Sequence, residues 1–590
     1  MALARLSQFK FIPRLFSSVA EKFPPSSPSN SLSYLPLLKR TPLVSIVMPV
    51  YNSRWLKEAV DSVLNQTYKN YELIMVDDSS SRPDTLETLT ALKSEPKVRI
   101  IHNPENLGIS GATNVGIEIS KGEYVAFMDH DDLLHPDALA YFARTINNGH
   151  DEDVFYSNEM IINSEGMIIG KMSKCAPSMD LLLSCNAVLH FCIMKKGSLQ
   201  KIGLLNSEYD GAQDHDLMIR ALENKFSFWH LPCFLYAWRA HHLATSGDVR
   251  AHKLSSDNEL PKAYRNGKKA IQAYLDRNKI RATVTDDVFF WYRVKYELPA
   301  EQSEVAVIIP FRDQPGCLKR LLTSMEKTAY KNFQLYLVNN QSKLPETHEL
   351  LRELGKSSKF KITIIELNEP FNYSRIHNQV VGKIPNELLL FMNNDLEIIN
   401  GDWLEAMLEH IYRDNVGAVG CRLIRKNGEI QHAGMTFKPD IYFCAMNFNT
   451  EEGYFTKVQR EVSGVTCACM LIRKSVFERV GGFDEIHFPI GFSDSDLCLK
   501  LVKAGYKIMY TPFAVLVHHE SQSRLLQEEG YEMVTLYRRY GGRTPMNDSH
   551  YPSQFLDKPT PEEKGRTPSR FEVMRQRLLN TNSSAHAKIG

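Results

Sequence analysis

Apolar and polar positions alternate along this chain in two rhythms, and the rhythms take turns. From Pro42 the run Val44-Ser-Ile-Val-Met-Pro-Val50 reads as a buried strand. Residues Trp55 to Gln66 follow with Leu56, Ala59, Val60, Val63 and Leu64 on one helical face. Tyr71-Glu-Leu-Ile-Met-Val76 is a second strand ending in Asp77-Asp78-Ser79-Ser80, Leu86 to Leu92 is helical, and Val98-Arg-Ile-Ile101 is a third strand. Asn106-Leu-Gly-Ile-Ser-Gly-Ala leads into a helix that runs through Gly116 to Ile119. The apolar run from Tyr124 then ends in three carboxylates, Asp129, Asp131 and Asp132. Strands and helices alternating at this length predict an α/β fold with a mostly parallel sheet covered on both faces.

The same order returns near residue 304. Val305-Ala-Val-Ile-Ile-Pro310 matches the first strand, and Leu318, Leu321, Leu322 and Met325 form the apolar face of the helix after it. The segment from Thr328 to Val338 parallels Thr67 to Val76, and Asn339-Asn340-Gln-Ser342 stands where Asp77 to Ser80 stood. Leu388-Leu-Leu-Phe-Met-Asn-Asn-Asp-Leu-Glu397 repeats the acidic strand end, now with Asp395 and Glu397. Late in each half a second acidic motif recurs, Gly211-Ala-Gln-Asp-His-Asp-Leu217 and Gly491-Phe-Ser-Asp-Ser-Asp-Leu497, each followed by a helix and a strand holding a proline, Pro232 or Pro512. A repeat of roughly 260–280 residues means two domains, not a solenoid.

Composition narrows the classes. A chain of 590 residues has room for at least two domains of roughly 150–250 residues. A formal net charge of +1 argues against a nucleic-acid binder. The ten cysteines are scattered, and Cys467 and Cys469 are too close for a zinc pair of the usual spacing, so buried free thiols and a reducing, cytoplasmic compartment are expected. No apolar run is long enough to span a membrane. Residues 1–20 carry Arg5, Lys10 and Arg14, no acid, and interspersed Leu and Phe. That pattern suits an interfacial amphipathic helix, a transit peptide, or a disordered tail leading into the Pro/Ser-rich stretch 24–36.

Carboxylates at the C-terminal end of a strand lie where open α/β sheets bind ligands. Two of them two residues apart suit one hard divalent cation that takes its other ligands from substrate phosphates. A solvated acidic turn is the plain alternative, and two copies in matching context weigh against it.

With these motifs in order, the chain resembles the family-2 inverting glycosyltransferases of the GT-A fold. The first half carries Pro49-Val-Tyr-Asn52, Ser62 to Thr67, Val76-Asp-Asp-Ser-Ser80, Asn106-Leu-Gly-Ile, the Asp129–Asp132 cluster and Gly211 to Asp216. The second resembles the rhamnosyltransferase-like branch through Phe371-Asn-Tyr-Ser374, Asn393-Asn-Asp395, Gln431-His-Ala-Gly434, Val480-Gly-Gly-Phe483 and His518-His-Glu-Ser521. Tandem arrangements of this kind are similar to bacterial enzymes that build O-antigen and other surface polysaccharides. The resemblance implies two tandem GT-A domains, Rossmann-like with mostly parallel sheets, over 42–251 and 303–530. A basic, Pro/Ser-rich tail (1–41), a helical linker (252–302) and a C-terminal tail (531–590) complete the division, with a helix and a disordered end over 560–590.

The resemblance also implies roles. The donor is a nucleotide-sugar, UDP- or dTDP-linked, and the cofactor a divalent metal, Mn2+ or Mg2+. Metal ligands are Asp131, with Asp129 facing the ribose or the metal, and His241 in the first half; in the second they are Asp395, Glu397 and His518 or His519. The base that deprotonates the acceptor hydroxyl is Asp214 in one half and Asp494 in the other. Asp216 and Asp496 are read as the helix caps. The nucleotide contacts fall to Pro49, Tyr51, Asp77, Asp78 and Asp129, and to Pro310, Asn339 and Asn394. Asp77 or Asp78 suits the N3–H of uracil or thymine, and Asn339 departs from that pattern. The expected activity is a bifunctional hexosyltransferase-type enzyme extending a glycan, on a lipid carrier at the inner membrane face. Peripheral membrane contact and self-association are compatible with it. The alternative is one active domain beside a degenerate, glycan-binding or scaffold domain. A sugar-1-phosphate nucleotidyltransferase would want a glycine-rich basic loop where the chain has Tyr51-Asn-Ser-Arg54 and Phe311-Arg-Asp-Gln314.

Overall fold

The structure, a computed structural model, describes residues 38–241, 261–285, 291–437, 444–445, 456–519, 529–540 and 550. The N-terminal segment 1–20, the stretch 24–36, parts of the expected linker, Glu520-Ser521 and the helix expected over 560–590 lie outside the described residues. The chain divides into two units between Glu297 and Leu298.

In the first unit the elements run β1 (Val44–Val50), α1 (Leu56–Leu64), β2 (Tyr71–Asp77), α2 (Pro83–Ala91), β3 (Val98–His102), α3 (Gly108–Ile119), β4 (Tyr124–Phe127), β5 (Leu133–Leu134), α4 (Ala138–Asn147), β6 (Val154–Ile162), β7 (Ile168–Met172), α5 (Met179–Leu182), β8 (Cys192–Lys195), α6 (Lys196–Ile202), α7 (Gln213–Glu223) and β9 (Phe228–Arg239). Helix α8 (Lys262–Arg277) and the strands β10 (Ala282–Thr285) and β11 (Arg293–Tyr296) follow. The sheet has the order β3-β2-β1-β4-β8-β6-β9-β5, with β7 on β6. Strands β1 to β4 pair in parallel, and β8 is antiparallel to both of its neighbours.

Every residue of β1 is buried, as an apolar strand must be when helices lie on both faces. Ile46 and Met48 point into the core shared with Leu56, Ala59, Val60 and Val63 of α1. On the opposite face Ile74 and Val76 meet Ala112 of α3. Gly116 brings α3 onto the sheet: a Cβ there would stand 2.5 Å from Val47 Cγ1. Helix α2 starts three residues earlier than its apolar pattern suggests because Pro83 opens it.

The second unit repeats the plan with β12 (Val305–Phe311), α9 (Pro315–Met325), β13 (Phe333–Asn340), α10 (Pro345–Lys356), β14 (Ile362–Leu367), α11 (Tyr373–Val381), β15 (Leu388–Met392), β16 (Leu396–Ile398), α12 (Trp403–Ile411), β17 (Val416–Ile424), β18 (Ile430–His432), β19 (Met435–Thr436), β20 (Cys444–Ala445), β21 (Arg460–Val462), β22 (Cys469–Arg473), α13 (Lys474–Arg479), α14 (Ser493–Lys503), β23 (Lys507–His518) and α15 (Glu529–Tyr540). Its sheet order, β14-β13-β12-β15-β22-β17-β23-β16, is the first unit's order strand for strand. Pro232 and Pro512 fall at register breaks in β9 and β23, where a residue without an N–H does not cost a ladder bond.

The segment expected as a helical linker also holds a hairpin, β10 with β11. Helix α8 is docked in the first unit: Asn266 Nδ2 donates to the Asp210 carbonyl at 2.8 Å, Arg277 forks onto Glu223, and Tyr264 stacks on Tyr292 with ring centroids 4.9 Å apart.

Candidate active sites

In the first unit the carboxyl ends of β1 and β4, the start of α7 and the end of β9 converge on a cavity of about 570 Å3. Its wall includes Pro49, Tyr51, Asp78, Asp129, Asp131, Asp214 and His241. Asp77 alone of that unit's sequence-derived candidates is absent from the wall. It lies beneath, with Oδ1 accepting from the Ser80 N–H at 3.1 Å and Oδ2 2.9 Å from His102 Nδ1. Asp78 Oδ1 is engaged by the Leu107 N–H and by Asn103 Nδ2, so it pins the loop that enters α3.

The three clustered aspartates have different partners. Asp131 Oδ2 is 2.8 Å from His241 Nε2. Burial opposes its charge, but the His241 hydrogen bond and the neighbouring imidazoles hold it below the usual carboxylate range. Trp55 lies against His241, ring centroids 4.5 Å apart. Asp132 is fully buried and accepts from Tyr236 Oη and the Arg239 N–H, both at 2.7 Å. Burial, and then Asp131 and Asp129, push it well above the usual range. It is a support for the strand end, and Arg239 continues that support through the Asp131 carbonyl and Glu58. Asp129 is raised by burial, against the pull of His190, whose Nε2 is 3.5 Å away.

His190 is a cavity-wall residue that sequence reasoning missed. Its Nδ1 is 3.5 Å from Glu159 Oε2, and its backbone N–H donates to the same oxygen at 2.7 Å. Burial opposes a charge on the ring, but Glu159, Asp129 and Asp132 push its pKa up to about 10. Behind it Lys174, fully buried, lies 3.8 Å from Glu159 and donates to the carbonyls of Val188 and His190. The signal in the sequence was a lone acid, Glu159, inside the apolar run Val154–Ile162.

Asp214 sits in the first turn of α7 and faces the cavity; its Oδ2 accepts from Asn186 Nδ2 at 3.2 Å. Asp494 has the matching place in α14, with Oδ2 3.4 Å from the Cys467 N–H. In each, Oδ1 accepts from the next residue's N–H. The expected capping role of Asp216 and Asp496 is overturned: neither helix has a side-chain cap. Both are buried ion-pair partners, Asp216 with Arg220 at 2.8 Å and Asp496 with Arg539 at 2.8 Å, Lys500 at 3.1 Å and Tyr540 Oη at 2.7 Å.

In the second unit Asp395 Oδ1 is 3.2 Å from His518 Nε2, and His518 Nδ1 is 2.8 Å from Gln431 Oε1. Glu397 meets His519 at 3.0 Å. Asn394 is half-buried beside them, and Pro310 lies at the end of β12 opposite Val338. Strand registers put Trp238 of β9 at the place of His518 and Arg239 at the place of His519. His241 is therefore not the counterpart of either; each unit brings an imidazole to the equivalent carboxylate from a different position. The same registers put Asn393 at the place of Asp129, Ala468 at that of His190, Leu423 at that of Glu159 and Leu396 at that of Asp132. Phe371-Asn-Tyr-Ser374 is structural: Asn372 caps α11 and holds the Glu485 carbonyl, and Ser374 holds that of Phe488, tying down the loop before Asp494.

Twice over, an open sheet whose first four strands run parallel carries carboxylates beyond its strand ends, the build of a ligand-binding Rossmann-like α/β protein. The chain belongs to glycosyl transferase family 2, whose model matches residues 45–172 and 306–481, and its two sheets have the GT-A form. It is 34% identical over 500 residues to the protein y4gI of Sinorhizobium fredii, covering 82% of this chain and 54% of that one. It is 33% identical over 528 residues to the O-antigen biosynthesis protein RfbC of Myxococcus xanthus, covering 87% and 40%. The chain thus spans about half the length, or less, of these relatives. Among solved structures, the mannosyltransferase PcManGT of Pyrobaculum calidifontis in complex with GDP-Man and Mn2+ shares 15% identity over 49% of this chain and 82% of that one, TM-score 0.34. The S. aureus TarS 1–349 complex with UDP-GlcNAc shares 20% over 39% and 66%, TM-score 0.32. Among the described residues no helix is long and apolar enough to cross a membrane.

Proposed function

We propose that the chain is a bifunctional, metal-dependent inverting glycosyltransferase, with one donor site per unit, that extends a cell-surface glycan. The observation that carries this reading is the first unit's cavity, where Asp129, Asp131, Asp214 and His241 share one wall with Pro49, Tyr51 and Asp78. A UDP- or dTDP-sugar would lie there with its diphosphate at the strand ends. Asp214 would take the proton from the acceptor hydroxyl as its oxygen bonds to C1. The C1–O bond to the diphosphate breaks on the opposite face, and the bond's electron pair leaves with the phosphate. Asp494 has the same task in the second unit, where the glycan or lipid-linked acceptor would be extended by a second linkage.

Among the described residues no three His, Cys, Asp or Glu side chains form a metal cage. Each unit does pair a carboxylate with an imidazole, Asp131 with His241 and Asp395 with His518. Such an oxygen–nitrogen pair fits a cation that keeps its waters and draws remaining ligands from phosphate. Asp129 and Glu397 are the additional oxygens within each strand end. A bound Mn2+ or Mg2+ would neutralise the charge that develops on the leaving diphosphate.

Thermal shift and donor hydrolysis against UDP-, dTDP- and GDP-sugars with Mn2+ test this on wild type, Asp131→Ala and Asp395→Ala. Two sites predict that each variant loses a different donor response. A variant that responds as wild type to every donor removes its unit from the metal-dependent reading. Asn393 in place of Asp129 favours a second reading, in which the second unit binds glycan without transferring sugar. Asp494→Asn that leaves every linkage intact would establish it.

A further inference from the structure

The two units share one turn frame at the carboxyl end of the first three strands. Backbone N–H groups of Ser81 and Arg82 donate to Asn52 Oδ1, and those of Lys343 and Leu344 donate to Asp313 Oδ1. The Asn52 N–H donates to Ser80 Oγ, and the Asp313 N–H to Ser342 Oγ. Ser79 and Gln341 take the same left-handed conformation, φ 65° and 62°. Within this constant frame one cross-strand pair is exchanged. Asp77 lies opposite His102 in the first unit and Asn339 opposite Glu366 in the second. Asp77 Oδ2 is 2.9 Å from His102 Nδ1; Asn339 Nδ2 donates to Glu366 Oε2 at 2.7 Å, while its Oδ1 accepts from the Ser342 N–H. The carboxylate that Asn339 lacks is therefore present one strand over.

The exchange changes what the strand end offers a planar base. In the first unit the carboxylate is buried at 4% exposure, and the outer group is an imidazole. Both Asp77 oxygens are engaged, by the Ser80 N–H and by His102, and the side chain lies beneath the cavity wall. In the second unit the outer group is an exposed carboxylate, Glu366, held by the Asn339 amide through one oxygen. A carboxylate takes two adjacent N–H donors side by side. Uracil and thymine would set a carbonyl against its second oxygen. Guanine presents two donors in a row, N1–H and N2–H.

Resting on the two-site reading above, we propose that the second unit takes a guanine nucleotide through Glu366, at the place where the first unit has the imidazole of His102.

Binding of free GDP, UDP and dTDP to the full chain with Mn2+, followed by calorimetry, tests this on wild type and Glu366→Gln. This variant keeps the bond from Asn339 and the side-chain shape. Expected is one equivalent of GDP that UDP and dTDP do not displace. Glu366→Gln weakens GDP by about tenfold to a hundredfold, the range of a charge-assisted hydrogen bond, and leaves UDP or dTDP unchanged. Competition of all three for the same sites, or a Glu366→Gln variant that binds GDP as wild type does, overturns the proposal while leaving two donor sites standing. If no nucleoside diphosphate binds to either unit, the glycosyltransferase reading and this proposal fall together.

Discussion

Removing the buried ammonium of Lys174 measures what the first unit's polar network costs and returns. The side chain is 0% exposed and faces Glu159, 5% exposed, at 3.8 Å. Lys174→Met strips Glu159 of that partner and leaves the Val188 and His190 carbonyls without their donor. Breaking one side of a buried pair costs about 3–5 kcal/mol. The low end applies here because His190 stays beside Glu159 at 3.5 Å. A loss of about 3 kcal/mol lowers the first unit's Tm by about 6–12 °C. The second unit supplies the compensating change, since Leu423 stands at the place of Glu159. Lys174→Met with Glu159→Leu should recover at least about 1.5 kcal/mol of the loss, because a buried pair replaced by apolar groups is near neutral. Urea unfolding followed at pH 7, with both single variants, closes the double-mutant cycle. A cost below about 1 kcal/mol for Lys174→Met, or a double variant no better than the single one, would refute the argument that the carboxylate depends on the ammonium.

Three further expectations follow from packing and charge. Arg539→Ala removes the link from α15 to Asp484 and Asp496; with Arg539 30% exposed and Tyr540 and Lys500 remaining, it should cost about 1–3 kcal/mol and lower the hydrogen-exchange protection of residues 529–540, and unchanged protection would count against it. His377 is buried with no partner for Nε2 among the described residues, and burial lowers it from 6.5 to about 4. Below pH 6.5 the unfolded chain binds a proton that the folded one refuses, so stability falls as pH drops from 6.5 to 4, by about 3 kcal/mol. His377→Leu should flatten that part of a stability-against-pH curve, and a curve parallel to wild type would exclude the assignment. Gly116→Ala pushes a Cβ to 2.5 Å from Val47 Cγ1 and should cost about 1–3 kcal/mol by overpacking, read from chemical denaturation; a neutral result would mean that α3 lifts off the sheet freely.

Much of the fold is legible in the sequence because helices cover both faces of each sheet. That forces near-continuous apolar runs such as Val44–Val50 and Leu388–Met392, and the duplication lets each half confirm the other's elements. Residues of the first cavity are legible for a related reason: a strand end that turns from apolar to acidic within one residue, as at Met128-Asp129, marks where the sheet stops being covered. What was not legible depends on pairing across strands. Glu159, Lys174 and His190 are far apart in sequence and meet only because β6 and β8 are neighbours. The capping role expected of Asp216 and Asp496 failed because an aspartate early in a helix reads alike whether it bonds the free N–H groups or a distant arginine. The hairpin β10–β11 has only four residues per strand, too short for an alternation to stand out.

The duplication itself offers a physical comparison that a single domain cannot. At four equivalent places the first unit has Asp129, Asp132, Glu159 and His190 and the second has Asn393, Leu396, Leu423 and Ala468. The backbone order is unchanged, so the fold does not require the polar set. Burying those polar groups is costly unless each has a partner, and in the first unit Lys174, His190, Tyr236 and Arg239 are the partners. A network with no fold to hold is a candidate for holding something else. Its outermost members, His190 and Asp129, face the cavity, while its innermost, Lys174, is sealed from solvent. The chain of contacts from Lys174 through Glu159 and His190 to Asp129 therefore fixes the cavity wall that also holds Asp214. The second unit has an amide and a methyl group, Asn393 and Ala468, at the places of Asp129 and His190.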